Sequence, residues 1–178
     1  MESDETGQAT PSDGRDWSDE VAQLLENWHK RVYAAQSGHY ASADLFRLLN
    51  YIVGVPAVVF ASIVGTAIFA DFANDRPRAL AVGTVSILAA VLAALQTFLR
   101  FSERAAQHAT AADWYSAIRR DIEETLHLPP EARGRAKDCL DRFRKEMNRV
   151  TQDAPELSAR QWKRAAKRFG VNEPLELE

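Results

Sequence analysis

Four histidines and one cysteine carry the near-neutral proton chemistry available to this 178-residue chain. None of them sits in a pattern that holds a metal or builds a nucleophile. The sequence has no HExxH, no Cys/His cluster at zinc spacing, no P-loop and no GxGxxG. Asp121, Glu123 and Glu124 share one helical turn and read as a solvated acidic face. The basic residues of 131–168 alternate with acids instead of forming a one-signed patch. The chain is therefore expected not to be an enzyme, to use no cofactor or metal, and to bind no nucleic acid. What remains is a set of matched positions. His39 lies nine residues before Leu48, and His108 lies nine residues after Leu99. On straight antiparallel helices the two imidazoles would sit at one depth, about 13 Å from the ends of the intervening segment. Asp44 comes level with Arg104 in the same way, and Arg47 more loosely with Glu103. His39, Asp44, Glu103, Arg104 and His108 are thus candidates for a polar collar that senses pH or gates the helices. The plainer alternative is packed histidines beside ordinary interhelical ion pairs.

Helices that could place those residues are set by two uncharged apolar runs, 48–70 and 79–99, separated by only eight residues. At about 1.5 Å per residue they reach roughly 35 and 32 Å, against about 30 Å for a bilayer's hydrocarbon core. The first holds twelve Leu, Ile, Val or Phe residues and no opposing charge. A buried hairpin in a soluble bundle seldom runs this long without a charge on an outer face. The expected architecture is all-α: a two-helix transmembrane hairpin extended into a cytosolic helical bundle, with Pro56 kinking the first span. Small residues recur every four positions, Ala57, Ala61 and Gly65 in one run and Ser86, Ala90 and Ala94 in the other. Such stripes let helices pack closely within the hairpin or between copies. Ser62, Thr66, Ser86, Gln96 and Thr97 are candidates for a pore lumen or for polar contacts between helices. No acid or base lies within either run, which argues against a proton relay.

Within 21 residues of the runs, the terminal sides carry seven Lys or Arg residues and the connecting loop only Arg76 and Arg78. That bias places both termini in the cytoplasm of a multi-pass membrane protein. The acidic start lacks a signal peptide's basic and apolar regions, so the first span is expected to act as an uncleaved insertion signal. The single Cys139 excludes an internal disulfide and suits a reducing compartment. Residues 1–16 read as a disordered acidic leader and 171–178 as a flexible tail.

Between them, helices are expected at 17–47, 100–127, 131–151 and 158–169. Trp17, Val21, Leu24, Trp28 and Ala35 form a seam at alternating four- and three-residue spacings. Only Gly38 threatens continuity, so 17–70 reads as one long helix. The second span has no evident breaker, and Phe98, Phe101, Ala105, His108, Ala112 and Tyr115 would carry its seam onward to His127. Trp114, Ile118 and Ile122 form an adjacent stripe. Ala136, Leu140, Phe143, Met147 and Val150 form another, with Cys139 packed beside it. The last helix sets Arg160, Lys163, Arg164, Lys167 and Arg168 on one face and Trp162, Ala165, Ala166 and Phe169 on the other. Such a helix either lies on an anionic leaflet or docks on the bundle by its apolar face.

Several stretches together resemble one family. They are Trp28-His29, Ala35-Gln36-Ser37-Gly38-His39-Tyr40, the close-set hairpin, and Leu95-Gln96-Thr97-Phe98-Leu99-Arg100-Phe101 leading to Glu103-Arg104-Ala105-Ala106-Gln107-His108. Further on come Tyr115, Arg119-Arg120, Ile122-Glu123, Ala154-Pro155-Glu156-Leu157 and Trp162. In order and spacing they resemble the SLATT domain, the SMODS- and SLOG-associating two-transmembrane effector domain of prokaryotic conflict systems, over about residues 17–170. The resemblance implies an inner-membrane effector that oligomerises and permeabilises the membrane, as in antiviral defence by abortive infection. It also implies a signal from a nearby sensor protein or nucleotide-signalling partner. Two helices cannot enclose a water-filled pore alone, so the expected partners are the lipid bilayer and further copies of the chain. The alternative is a non-conducting anchor that recruits a cytosolic partner.

Overall fold

A computed structural model describes residues 17–69 and 76–171, and every regular element among them is helical. The leader at 1–16, the connection at 70–75 and the tail beyond Val171 lie outside the described residues. Helix α1 runs Asp19–Phe69 without interruption through Gly38 and Pro56, 51 residues and about 76 Å. It is followed by α2 (Arg76–Leu99), α3 (Phe101–His127), a short 3-10 turn (Pro130–Ala132), α4 (Ala136–Asp153) and α5 (Ala159–Phe169). Ser18 starts α1 by accepting the Val21 amide through its Oγ at 3.3 Å, with Asp19 and Glu20 in the positive first turn.

One face of α1 organises the rest. Leu25, Val32, His39, Phe46, Val53 and Phe60 recur at seven-residue intervals, and all are buried or half-buried. That repeat keeps a single seam in register along the helix, and α3 covers its first half and α2 its second. Helices α1 and α2 each contain a stretch long and apolar enough to cross a membrane. Their outer faces stay uncovered by the chain: Val58 is 67 % exposed, Ile87 67 %, Leu80 74 % and Phe98 83 %.

The expectation of one continuous helix from 79 to 127 is corrected at Arg100. This residue takes a left-handed conformation, φ 48° and ψ 43°, and separates α2 from α3. The cause is a mismatch of faces. In α2 the inward residues are Ala89, Leu92, Gln96 and Leu99, while in α3 they are Phe101, Ala105, His108, Ala112 and Tyr115. An unbroken helix would instead have turned Glu103, Gln107 and Thr110 toward α1, and all three are exposed. The two seams are about half a turn out of phase, and one left-handed residue resets them. Phe98 is consequently excluded from the seam and points outward. Arg100 forms an ion pair with Glu103 in the first turn of α3.

A left-handed residue with a Cβ costs roughly 1–2 kcal/mol, and an exposed ion pair returns less than about 1. Arg100→Gly should therefore melt at the same temperature as the parent or higher, whereas Arg100→Val, β-branched, should melt lower. Thermal unfolding of the two variants in detergent checks this, and the opposite ranking would show that the break is not structurally required.

Beyond the break, Leu25, Val32, Ala35, Tyr115, Ile118, Ile122, Phe143, Met147 and Val150 form one buried cluster from α1, α3 and α4. Leu25, not Leu24, faces inward; two adjacent leucines satisfy the same spacing, and Leu24 is left 39 % exposed. Trp114 is likewise exposed, while Ile118 and Ile122 of its stripe are buried. The helix expected from residue 131 begins at Ala136, because the Pro130–Ala132 turn and Gly134 at φ 74° intervene. Cys139 is half-buried against the cluster and donates to the Arg133 carbonyl at 3.1 Å.

Helix α5 docks on α1. Ala165 and Ala166 are buried, Phe169 packs its ring on Tyr33 at 4.3 Å, and Trp162 packs against the cluster. Gly38 allows this approach: a Cβ there would meet Leu157 at 3.0 Å and Ala165 at 3.8 Å. The glycine is a contact surface in a continuous helix. Ser158 caps α5 by accepting the Gln161 amide, and Gly170, at φ 66°, ends it.

Candidate functional site

The seam between α1 and its antiparallel partners carries a ladder of polar rungs. Farthest from the apolar runs, His29 Nε2 lies 3.1 Å from Glu123. Arg119 holds Glu123 at 2.6 Å with one guanidinium nitrogen and donates through Nε to Gln36 at 3.1 Å. The same guanidinium lies over the Tyr33 ring, 5.0 Å from its centroid. Nearer the runs, the Tyr40 hydroxyl donates to Asp113 at 2.7 Å, which raises the Tyr40 pKa by stabilising its protonated form. His39 meets His108 next, and Gln96 donates to Asn50 at 3.4 Å nearest the hairpin. Gly54 makes room for Gln96, since a Cβ there would fall 2.7 Å from its amide nitrogen.

The central rung has the most distinctive chemistry. His39 Nδ1 and His108 Nδ1 are 3.1 Å apart, and the two residues are 3 % and 5 % exposed. Tyr115 stacks on His39 with ring centroids 5.5 Å apart, and Phe46 stacks on His108 at the same separation. Two facing Nδ1 atoms share one proton only if one ring carries it there and the other is the Nε2–H tautomer. Each ring is then neutral. Protonating the acceptor sets two N–H groups against each other and removes the bond. Burial lowers the His39 pKa to about 4, with the adjacent His108 adding to the effect, and burial also lowers that of His108. Burial likewise raises Tyr115, whose hydroxyl contacts Thr151 at 3.3 Å.

The other collar candidates are placed differently. Asp44 pairs with Arg47 at 3.0 Å on its own helix, and Glu103 pairs with Arg100. Arg104 lies 5.9 Å from the Phe46 ring centroid. The expected cross-helix ion pairs, Asp44 with Arg104 and Arg47 with Glu103, are therefore corrected: both carboxylates pair with an arginine three residues away in the chain, and Arg104 reaches the Phe46 ring instead. At i,i+3 spacing a partner is always in reach, so no reach across the seam is needed.

In the apolar helices, hydroxyls turn back on their own backbone. Ser62 donates to the Val58 carbonyl, Thr66 to those of Ser62 and Ile63, and Thr97 to that of Ala93. Ser86 is half-buried, and Gln96 alone of the five polar candidates bonds across the hairpin. Of the small-residue stripes, Ala57 is buried in the α1–α2 seam and Gly65 half-buried, whereas Ala61, Ala90 and Ala94 are exposed. Ala89, one position from the expected stripe, is the buried residue of α2. On α5, Arg160, Lys163, Arg164, Lys167 and Arg168 are all exposed.

Residue types alone did not reveal the His29–Glu123, Gln36–Arg119, Tyr40–Asp113 and Asn50–Gln96 rungs. Extending the equal-depth counting that relates His39 to His108 would have found the last, since Asn50 and Gln96 stand level to within one residue by the same rule. No protein-family model matches this chain, and neither a curated protein nor a solved structure does.

Proposed function

We propose that this chain is a two-transmembrane effector of the SLATT kind, which self-associates in the bacterial inner membrane and permeabilises it when its cytosolic helices receive a signal. The signal would come from a partner sensor or a nucleotide messenger, consistent with antiviral defence by abortive infection. The observation that carries the membrane part is the uncovered apolar surface of α2 and the second half of α1, with Phe98 83 % exposed. A water-soluble monomer rarely leaves so continuous a patch unpaired, whereas lipid or further copies would cover it. Both termini then face the cytoplasm, following the excess of Lys and Arg on the terminal sides. The residues on which the family resemblance rests include His29, Gln36, His39, Tyr40, Gln96, His108, Arg119 and Glu123, and each is a rung of the polar ladder. The reading is non-enzymatic: a cytosolic event would be passed to the hairpin along α1.

The exposed Ala61, Ala90 and Ala94 offer close packing between copies. Induced expression should depolarise the bacterial membrane, and the purified chain should release dye from liposomes. Ala90→Leu with Ala94→Leu should abolish both while the chain still inserts. A second reading, a non-conducting anchor, is favoured by the hydroxyls of Ser62, Thr66 and Thr97, which are bonded to their own helices. An inserted oligomer that neither depolarises cells nor releases dye under any trigger would leave the anchor standing and sink the effector.

A further inference from the structure

A recess of about 570 Å³ lies between α1 and α5, apart from the polar ladder. Its base is built by the close approach at Gly38, with Ala41 and Ala165 beside it. Arg160, Arg164 and Arg168 line it from α5, joined by the side chains of Ser37, Ser158 and Gln161. The arginines fall at four-residue spacing, so they share one face with about 6 Å of rise between neighbours. Among the described residues no carboxylate lines the recess, and α5 contains no acid. Among the described residues, none of these three guanidiniums takes part in an ion pair. Three like charges on one face repel one another, and guanidinium geometry suits the paired oxygens of a phosphate.

Orientation adds to the case. Phe169 stacks on Tyr33, Ala165 and Leu157 flank Gly38, and the recess extends to Leu45. Helix α5 therefore runs antiparallel to α1, with its N-terminal end, Ser158 and Arg160, nearest the first apolar run. That end carries the positive pole of the helix. Leu45 lies three residues before residue 48, about 5 Å along the helix, the depth of a lipid headgroup if the hairpin spans a bilayer. Lys163 and Lys167 of the same helix do not line the recess.

We propose that the α1–α5 recess binds a phosphate-bearing ligand with two or more negative charges, held by Arg160, Arg164 and Arg168. The phosphate has two sources: the headgroup of an acidic phospholipid, or a soluble phosphate ester reaching the recess from water. Only the first of these rests on the membrane reading above.

The test uses the full chain purified in a non-ionic detergent. Inorganic pyrophosphate is titrated calorimetrically, and phosphatidic acid is supplied in mixed micelles with phosphatidylcholine micelles as the reference. Arg160→Gln with Arg164→Gln should weaken binding by roughly tenfold or more, whereas Lys163→Gln with Lys167→Gln, an equal loss of charge, should leave it within about twofold. Selective loss with pyrophosphate identifies a soluble ligand, and selective loss with phosphatidic acid alone identifies the lipid; either upholds the recess. Equal weakening by both double variants, or no binding of either probe, overturns it. A chain that binds here but never conducts keeps this site and loses the proposed effector activity, so the two failures are separable.

Discussion

Phe143→Ala should cost about 3–5 kcal/mol, the range for truncating a fully enclosed phenyl group. Phe143 is 0 % exposed and stands in the cluster with Leu25, Ile118, Ile122 and Met147. Helix α4 is joined to the rest chiefly through α3 and has only four buried residues, Ala136, Phe143, Met147 and Val150. Its docking thus depends on few side chains, and the cavity would fall in the middle of them. The expected outcome is detachment of α4 as a unit while α1 and α3 stay paired. Hydrogen exchange in detergent should show amide protection lost over 136–153 and retained in the polar-ladder segments of α1 and α3. Leu140→Ala, at a half-buried position, should cost several-fold less. Unchanged protection of α4 in Phe143→Ala would mean that the helix is anchored by something other than this cluster.

Acidification should weaken the fold through the His39–His108 pair. In the unfolded chain a histidine takes up its proton near pH 6.5, but folded His39 resists it until about pH 4. Between those values the unfolded state binds more protons, so stability is complete above pH 6.5 and falls as pH drops toward 4. At pH 5 this single group accounts for about 2 kcal/mol at most, and His108, lowered by burial, acts in the same direction. The comparison that isolates the pair is the parent chain against His39→Leu with His108→Phe, unfolded by denaturant at pH 7 and pH 5. The double variant should lose less stability on acidification. A single His39→Leu leaves the other imidazole buried without its partner and should cost about 1–3 kcal/mol at pH 7. Equal pH slopes for parent and double variant would remove the histidine pair as a titrating element.

The legible parts of this fold are those where apolar and polar residues alternate at helical spacing without ambiguity. Ala136, Leu140, Phe143, Met147 and Val150 read correctly as one seam, and all are buried or half-buried. The two apolar runs announced two long helices, and the uninterrupted passage of α1 through Gly38 follows from the same periodicity. Legibility fails where neighbours are interchangeable. Leu24 and Leu25, or Ala89 and Ala90, satisfy the same spacing, and only the partner helix chooses between them. The break at Arg100 was invisible for another reason: neither Gly nor Asn marks it, and the left-handed turn arises from two seams that must both face α1. Counting residues outward from the apolar runs placed His39 level with His108, and the structure brings their Nδ1 atoms to 3.1 Å. The same counting failed for Asp44 and Arg104, because flexible charged side chains choose the nearest partner, whereas stacked imidazoles have little freedom to choose.

The buried cluster also constrains the order of biogenesis. It joins Leu25 and Val32, made before either apolar run, to Phe143 and Met147, made after both. A ribosome therefore delivers the first half of the cluster more than a hundred residues ahead of the last. Until α3 and α4 emerge, the side chains that enclose Leu25 in the folded chain are not yet made. If the two apolar helices span a membrane as proposed, closing the cluster clasps the two ends of the hairpin on one side. An apolar helix that had entered in the wrong orientation would hold its flank on the far side and leave the clasp open. In that membrane-spanning case completion of this core would act as a checkpoint on topology, with α4 the last element to close it.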